Sequence, residues 1–187
     1  MSRLTSQHFV DRTSELLREQ CGGEISLSMV LEACGAQKGS LYHFFPGGKE
    51  ELFVAAVEKM RGCVLAHLGK CMQESQSAAD GIKKHLQFVA KLIDRPNSEL
   101  GMPFLALGAT IGESCKSVQI ACEEALKDIE SCLSKQLVVD GFSSREAKRL
   151  AAFAVAAIEG AILLARLRSN SAPVRLAADT IAALVSR

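Results

Sequence analysis

The chain has 187 residues, 48% of them hydrophobic and only 5% aromatic, with 22 Lys and Arg against 21 Asp and Glu. That length admits one compact domain or a small head on a larger body, and an Ala- and Leu-rich, aromatic-poor composition favours helix over sheet. A net charge of +1 excludes a basic tail, so any contact with nucleic acid must come from a local surface.

The opening "MSRLTSQHFVDR" has no apolar stretch ahead of a cleavage site, and no run of about 18 apolar residues follows, so a soluble, cytoplasmic chain is expected. Cys21, Cys34, Cys63, Cys71, Cys115, Cys122 and Cys132 are odd in number and form no CxxC pair. They read as small buried hydrophobes of a reducing compartment.

In chain order, Phe9, Val10, Thr13, Leu16 and Leu17 recur at helical spacing, predicting a first helix from Leu4 to Glu19 that stops at Cys21-Gly22-Gly23. Ser26 is placed to cap a second helix ending near Gly35, with Ile25 bracing its entry. The third is short, from Gln37 to about Phe44, because Pro46 disfavours a helical Phe45 and lacks an N–H. Two short helices around Gly35 make a helix-turn-helix. A fourth helix from Lys49 to about Gln73 carries Leu52, Phe53, Ala56, Val57, Met60, Val64, Leu68 and Cys71 on one side. Further helices are expected from Ala79 to Asp94, from near Pro103, from about Glu113 to Val139, from a Ser143–Glu146 capping box to Arg168, and from Pro173 to about Ser186. The fold class expected is all-α, with about nine helices and no repeat.

The first 50 residues hold three short helices with polar outer faces, and residues 51–187 hold longer ones. From Leu150 to Leu167 the sequence is nearly continuous in Ala, Val, Ile, Leu and Phe. A helix apolar all round needs cover on more than one side. A second copy of the chain is the expected cover, with Gly160, Ala154, Ala157 and Ala161 permitting close approach.

The stretch "GAQKGSLYHFFPGGKEEL" is no phosphate cradle, since it contains neither GxxxxGK[ST] nor GxGxxG after a strand. As a reading helix it makes sense residue by residue. Gln37 and Lys38 lead it, and Gln pairs with adenine as Lys does with guanine. Gly39 lets the backbone come close; Ser40 and Tyr42 offer hydroxyls for phosphate oxygens; Lys49 stands at a helix start, where free N–H groups add to its charge. Leu41, Phe44 and Phe45 read as core. From Met1 to Glu51 five Lys and Arg face seven Asp and Glu, 5 − 7 = −2, but between Ala33 and Lys49 the only charges are Lys38 and Lys49. A locally positive surface with modest, steeply salt-dependent non-specific affinity is expected.

Over Ser26 to Val57 these residues closely resemble the DNA-binding signature of the TetR family of bacterial repressors, and the Phe-Pro-Gly-Gly-Lys turn resembles its LmrA/YxaF-like branch. The resemblance implies a head at residues 1–50, a ligand-binding and dimerising body at 51–187 linked through the fourth helix, and a homodimer on a palindromic operator of double-stranded DNA. It places Ser40, Tyr42 and Lys49 on backbone, Gln37, Lys38 and His43 near bases, and Ser26 and Ser28 where the family often touches phosphate. Dimerisation would use the last two long helices, through Phe153, Ala157, Gly160, Ala161, Leu164, Ile181 and Leu184. The chain departs from the family in having Gly22-Gly23 where Gly and an aromatic are common, and Leu31 where Ala often stands. The "GMP" at Gly101 to Pro103 also resembles the branch.

The implied effector is a small molecule that releases the DNA. Met60, Phe88, Met102, Phe104, Leu107 and Phe153 are the candidate pocket residues, and with few interior charges an apolar or aromatic compound is expected. No cofactor is implied, no membrane partner is expected, and the scattered histidines at 8, 43, 67 and 85 give no catalytic arrangement, so an enzyme is not expected. The alternative is a metal- or thiol-responsive regulator of the same fold, because Cys63, His67 and Cys71 stand at i, i+4 and i+8 on one helical face. The same spacing also fits a buried seam, and no metal is assigned.

Overall fold

The computed structural model describes residues 4–19, 25–95, 103–111 and 114–186, with residues 18 and 19 described as backbone only. Among the described residues the elements are α1 (Ser6–Glu19), α2 (Leu27–Cys34), α3 (Lys38–Phe44), α4 (Gly48–Gln73), α5 (Ala78–Ile93), α6 (Phe104–Ile111), α7 (Lys116–Val139), α8 (Ser144–Arg168) and α9 (Ala172–Leu184), with no strand. The chain is all-α.

The caps explain most boundaries. Ser26 accepts a hydrogen bond from the Met29 N–H, and the helix it opens ends at Gly35 in the left-handed region, φ 59°. Ser77 and Ser143 cap α5 and α8 through the N–H groups of Asp80 and Glu146. Gln37 is the N-cap of α3 rather than its first residue, and α4 begins one residue early, at Gly48. The seventh helix opens at Lys116 after an extended Cys115; Glu113, like Gly22-Gly23, Gly101 and Cys21, lies outside the described residues.

α1 closes the orphan carbonyl end of α2, because His8 Nε2 lies 3.2 Å from the Cys34 carbonyl and Arg12 Nε donates to the Ala33 carbonyl at 3.0 Å. Phe9 then stands beside both Phe44 and Phe45, with ring centroids 5.9 and 6.2 Å apart. Leu41 and Phe45 are buried with it and Phe44 half so, which fixes α3 against α1 and leaves the opposite face of α3 outside.

α4 belongs to both halves. It packs on α1 in the head and on α5 and α7 in the body, while α7 also contacts α6 and α8, and α9 lies on α5 and α8. Close approach of α5 to α4 depends on Gly81, where a Cβ would stand 2.5 Å from Met72 Sδ and 3.2 Å from its Cα. α8 has the length and composition to cross a bilayer, with a mean hydropathy of 2.0 in its most apolar window, of which 33% is buried. Its packing on α7 and α9 makes it a wall of the bundle instead, with one side left uncovered.

Gly48 is the joint between α3 and α4. Its φ is 71°, and a Cβ there would meet Tyr42 Cε1 at 3.1 Å. Gly48→Ala is expected to destabilise the chain by about 1–2 kcal/mol in urea unfolding; an unchanged midpoint would contradict this account of the turn.

Candidate functional site

The exposed polar side of α3 is presented by the packing just described. Gln37, Lys38, Gly39, Tyr42 and His43 are exposed and Ser40 is half-buried, so the polar residues of α3 share the side opposite Leu41. Lys38 Nζ sits 5.9 Å from the Tyr42 ring centroid, and half-buried Lys49 holds its Nζ 5.1 Å over Phe53. Both cations are thus pre-positioned by aromatic faces. Ser26 spends its hydroxyl on the α2 cap and pairs with exposed Ser28 Oγ at 2.7 Å. The two serines therefore mark the N-terminus of α2, where the first N–H groups gather.

Several carboxylates of the head are held in local contacts. Asp11 pairs with Lys59 at 2.7 Å, which holds its carboxyl below the usual range; Glu15 is engaged by Arg12. Glu51 accepts from the Gly47 N–H at 2.7 Å, and Glu50 accepts from Ser117 at the start of α7. None of these four carboxylates belongs to α3, whose own charge is carried by Lys38.

A second site lies in the body: a cavity of about 360 Å³ between α4, α5, α7, α8 and the start of α6. Met60, Phe88 and Phe104 of the expected set line it. Two others do not. Leu107 is fully buried in the core on another side of α6, and Phe153 is 55% exposed on the outside of α8. Met102 lies outside the described residues. Val64, Leu68, Ile82, Leu133, Val155 and Ile162 supply most of the remaining apolar wall. Cys63 and Phe88 are both exposed and part of the lining, so the cavity opens beside them.

The interior is less apolar than the sequence suggests. Glu159, buried in α8, accepts a 2.8 Å hydrogen bond from the Leu105 N–H and so ties α8 to the first turn of α6. Burial raises its carboxyl to about 7, against the smaller opposing effect of that hydrogen bond. Across the cavity, His67 Nδ1 and His85 Nδ1 are 2.8 Å apart, and the His67 ring stacks on Phe88 at 4.0 Å. Burial lowers both imidazoles, taking His85 to about 4. Cys71 Sγ stands 3.7 Å from His67 Nδ1. The close group of ligand-type atoms is therefore His67, Cys71 and His85, and the expected trio of Cys63, His67 and Cys71 is corrected by the fold, which leaves Cys63 outside that group.

On the outer side of α8, Phe153 and Leu164 are exposed, while Ala157 and Gly160 are half-buried; a Cβ at Gly160 would meet nothing within 4 Å. Leu184 is exposed on α9. Ala161 and Ile181 turn inward, at 8% and 2% exposure, because those positions face the chain's own core. Leu163, Leu167 and Leu176, absent from the expected set, are exposed on the same two helices.

Residues 9–56 match the family described as "Bacterial regulatory proteins, tetR family", and residues 78–180 match "Transcriptional regulator LmrA/YxaF-like, C-terminal domain". The chain is 31% identical over 175 residues to the uncharacterized HTH-type transcriptional regulator YxaF of Bacillus subtilis, covering 93% of this chain and 91% of that one. It is 32% identical over 161 residues to the HTH-type transcriptional regulator LmrA of the same organism, covering 86% of each. Its fold is similar to that of reduced NemR from E. coli (TM-score 0.82, 21% identity, 94% of each chain). It also resembles a TetR transcriptional regulator from Legionella pneumophila (TM-score 0.81, 22% identity, 100% of each).

The buried acid gives a pH signature. Between the ordinary 4.5 and about 7 the folded chain keeps the Glu159 proton that the unfolded chain gives up, so this group's contribution to stability falls as pH rises. His85 acts in the opposite sense: between the ordinary 6.5 and about 4 the unfolded chain takes up a proton that the folded chain refuses. The two slopes oppose each other and mask one another in the wild type. Relative to wild type, Glu159→Gln should gain about 2 kcal/mol of stability between about pH 5 and pH 7, read by urea unfolding. A constant difference would show that Glu159 is not held protonated.

Proposed function

We propose that this chain, which belongs to the TetR family of bacterial transcriptional regulators, is a repressor that binds a palindromic operator as a homodimer and is released by a small, largely apolar effector held in the body cavity. The observation that carries the reading is the division of α3: a polar outer side led by Gln37 and Lys38, and an inner side of Leu41 locked against Phe9 through its neighbours. A helix presented in this way enters the major groove with its N-terminal residues at base edges and its flanks at phosphates. Gln37, Lys38 and His43 read; Ser40, Tyr42, Lys49 and the serines at 26 and 28 hold.

The uncovered strip of α8 and α9 supports the dimer. Phe153, Leu163, Leu164 and Leu167 are exposed along α8, and Leu176 and Leu184 add exposed apolar surface on α9. Half-buried Gly160 sits amid them, where the backbone of a second copy could come close. Two heads must stand about 34 Å apart to enter successive major grooves. An effector that favours another spacing draws the population away from the bound form.

α4 is the connection between cavity and head. Met60, Val64, His67 and Leu68, from its middle onward, line the cavity, and its first residue is the Gly48 joint. It is tied to α7 at two places, through Glu50 with Ser117 and Arg61 with Asp128. A ligand that moves α4 against α7 therefore moves the joint as well.

Two outcomes are expected with an operator selected by the wild-type protein from a random duplex pool. Tyr42→Phe and Lys49→Ala each weaken binding by about tenfold with helicity and dimerisation intact, and Lys49→Ala also lowers the salt slope by about one; unchanged affinity in both would contradict the reading-helix assignment. Leu164→Glu yields a folded monomer in light scattering at micromolar concentration, whereas a dimer that survived it would remove α8 from the interface.

A further inference from the structure

The cluster of His67, Cys71 and His85 has the composition of a metal site, and its two histidines stand on the wall of the body cavity. His67 and Cys71 are one helical turn apart near the end of α4, and His85 approaches from α5. One imidazole nitrogen from each histidine and the Cys71 sulfur all lie within 4.8 Å of one another. Cys71 and His85 are buried and His67 is half-buried, so the donors converge in an interior seam.

The distances are compatible with a chelating set. A tetrahedral zinc ion with bonds of about 2.0–2.1 Å to nitrogen and 2.3 Å to sulfur holds its nitrogen and sulfur ligands roughly 3.6 Å apart, and two nitrogens roughly 3.3 Å apart. Cys71 Sγ and His67 Nδ1 are 3.7 Å apart. The two Nδ1 atoms, at 2.8 Å, share a hydrogen bond and need to separate by about half an ångström.

We propose that His67, Cys71 and His85 form a binding site for a divalent transition-metal ion of the zinc type, with its fourth coordination position open towards the body cavity. Both histidines line that cavity, so water or an oxygen donor of a bound effector can complete the shell. The proton balance is simple. The imidazole that carried its proton on Nδ1 moves it to Nε2, the Cys71 thiol gives up its own, and one proton per ion goes to solvent. An occupied site pins the end of α4 to α5. The proposal stands apart from operator recognition, since its test reads the metal on the protein alone.

Cobalt(II) is the probe, titrated into the reduced full-length chain and then displaced by zinc. The expected result is one equivalent per chain, with intense tetrahedral d–d absorption and a sulfur-to-cobalt charge-transfer band. Cys71→Ser abolishes the charge-transfer band, His67→Asn and His85→Asn each weaken binding by at least about a hundredfold, and Cys63→Ser leaves both unchanged. Far-ultraviolet helicity is recorded for every variant, and should buried His85→Asn fail to fold, half-buried His67→Asn decides alone. Absence of stoichiometric cobalt binding in the wild type overturns the proposal. So does a charge-transfer band that survives Cys71→Ser and disappears in Cys63→Ser.

Discussion

The structure depends on one helix belonging to two packing units at once. α4 runs for 26 residues from Gly48 to Gln73, first against α1, then against α5 and α7. Leu52, Phe53, Ala56 and Val57 are buried in its first half and Leu68, Cys71 and Met72 near its end, so neither the head nor the body can be displaced without disturbing apolar surface on the same rod. At its N-terminal end the left-handed Gly48, with Tyr42 against it, sets the direction in which α3 leaves. The position of the polar side of α3 thus follows from the position of α4.

Polar interactions around α4 refine that constraint. Its links to α7, through Glu50 with Ser117 and Arg61 with Asp128, are exposed or partly so and contribute modestly by themselves. Their value is geometric, because they lie on the flank between cavity and head. In the head, residues 1–51 carry a net charge of −2, Asp11 is paired with Lys59 of α4, and α3 itself carries only the positive Lys38. Inside the body, a buried acid on α8 and two neutral imidazoles on α4 and α5 face one apolar space. A ligand there meets hydrogen-bonding groups at separated places, and its shape must satisfy both.

The helices were legible because their punctuation is local: Ser26 and Ser143 cap, Gly35 and Pro46 stop, and amphipathic spacing fixes the inward side. The two-sided third helix was legible for the same reason, since eight contiguous residues from Gln37 to Phe44 carry both its core and its polar side. The cavity was not. Three of its residues were expected, but whether Leu107 or Phe104 faces it depends on how α6 leans on α7. His85 shares the buried side of α5 with Ile82, Leu86 and Val89, and only the approach of α4 brings His67 to it. Glu159 did leave a signal, as the only acid between Leu150 and Leu167, and a carboxyl at the centre of an apolar helix calls for a partner. Ile181 and Ala161 failed as surface residues because apolar spacing does not distinguish a protomer's core from its interface.

The central claim is that filling the cavity is felt at the reading helix through α4. Val64, half-buried on α4 and part of the cavity wall, allows this to be tested without an identified effector. Val64→Trp places an indole in the space a ligand would take and leaves the head's sequence unaltered. The decisive measurement is the affinity of this variant for the selected operator, beside its helicity and its dimerisation. The account predicts a loss of about tenfold or more with fold and dimer retained; wild-type affinity in a folded, dimeric Val64→Trp would contradict it.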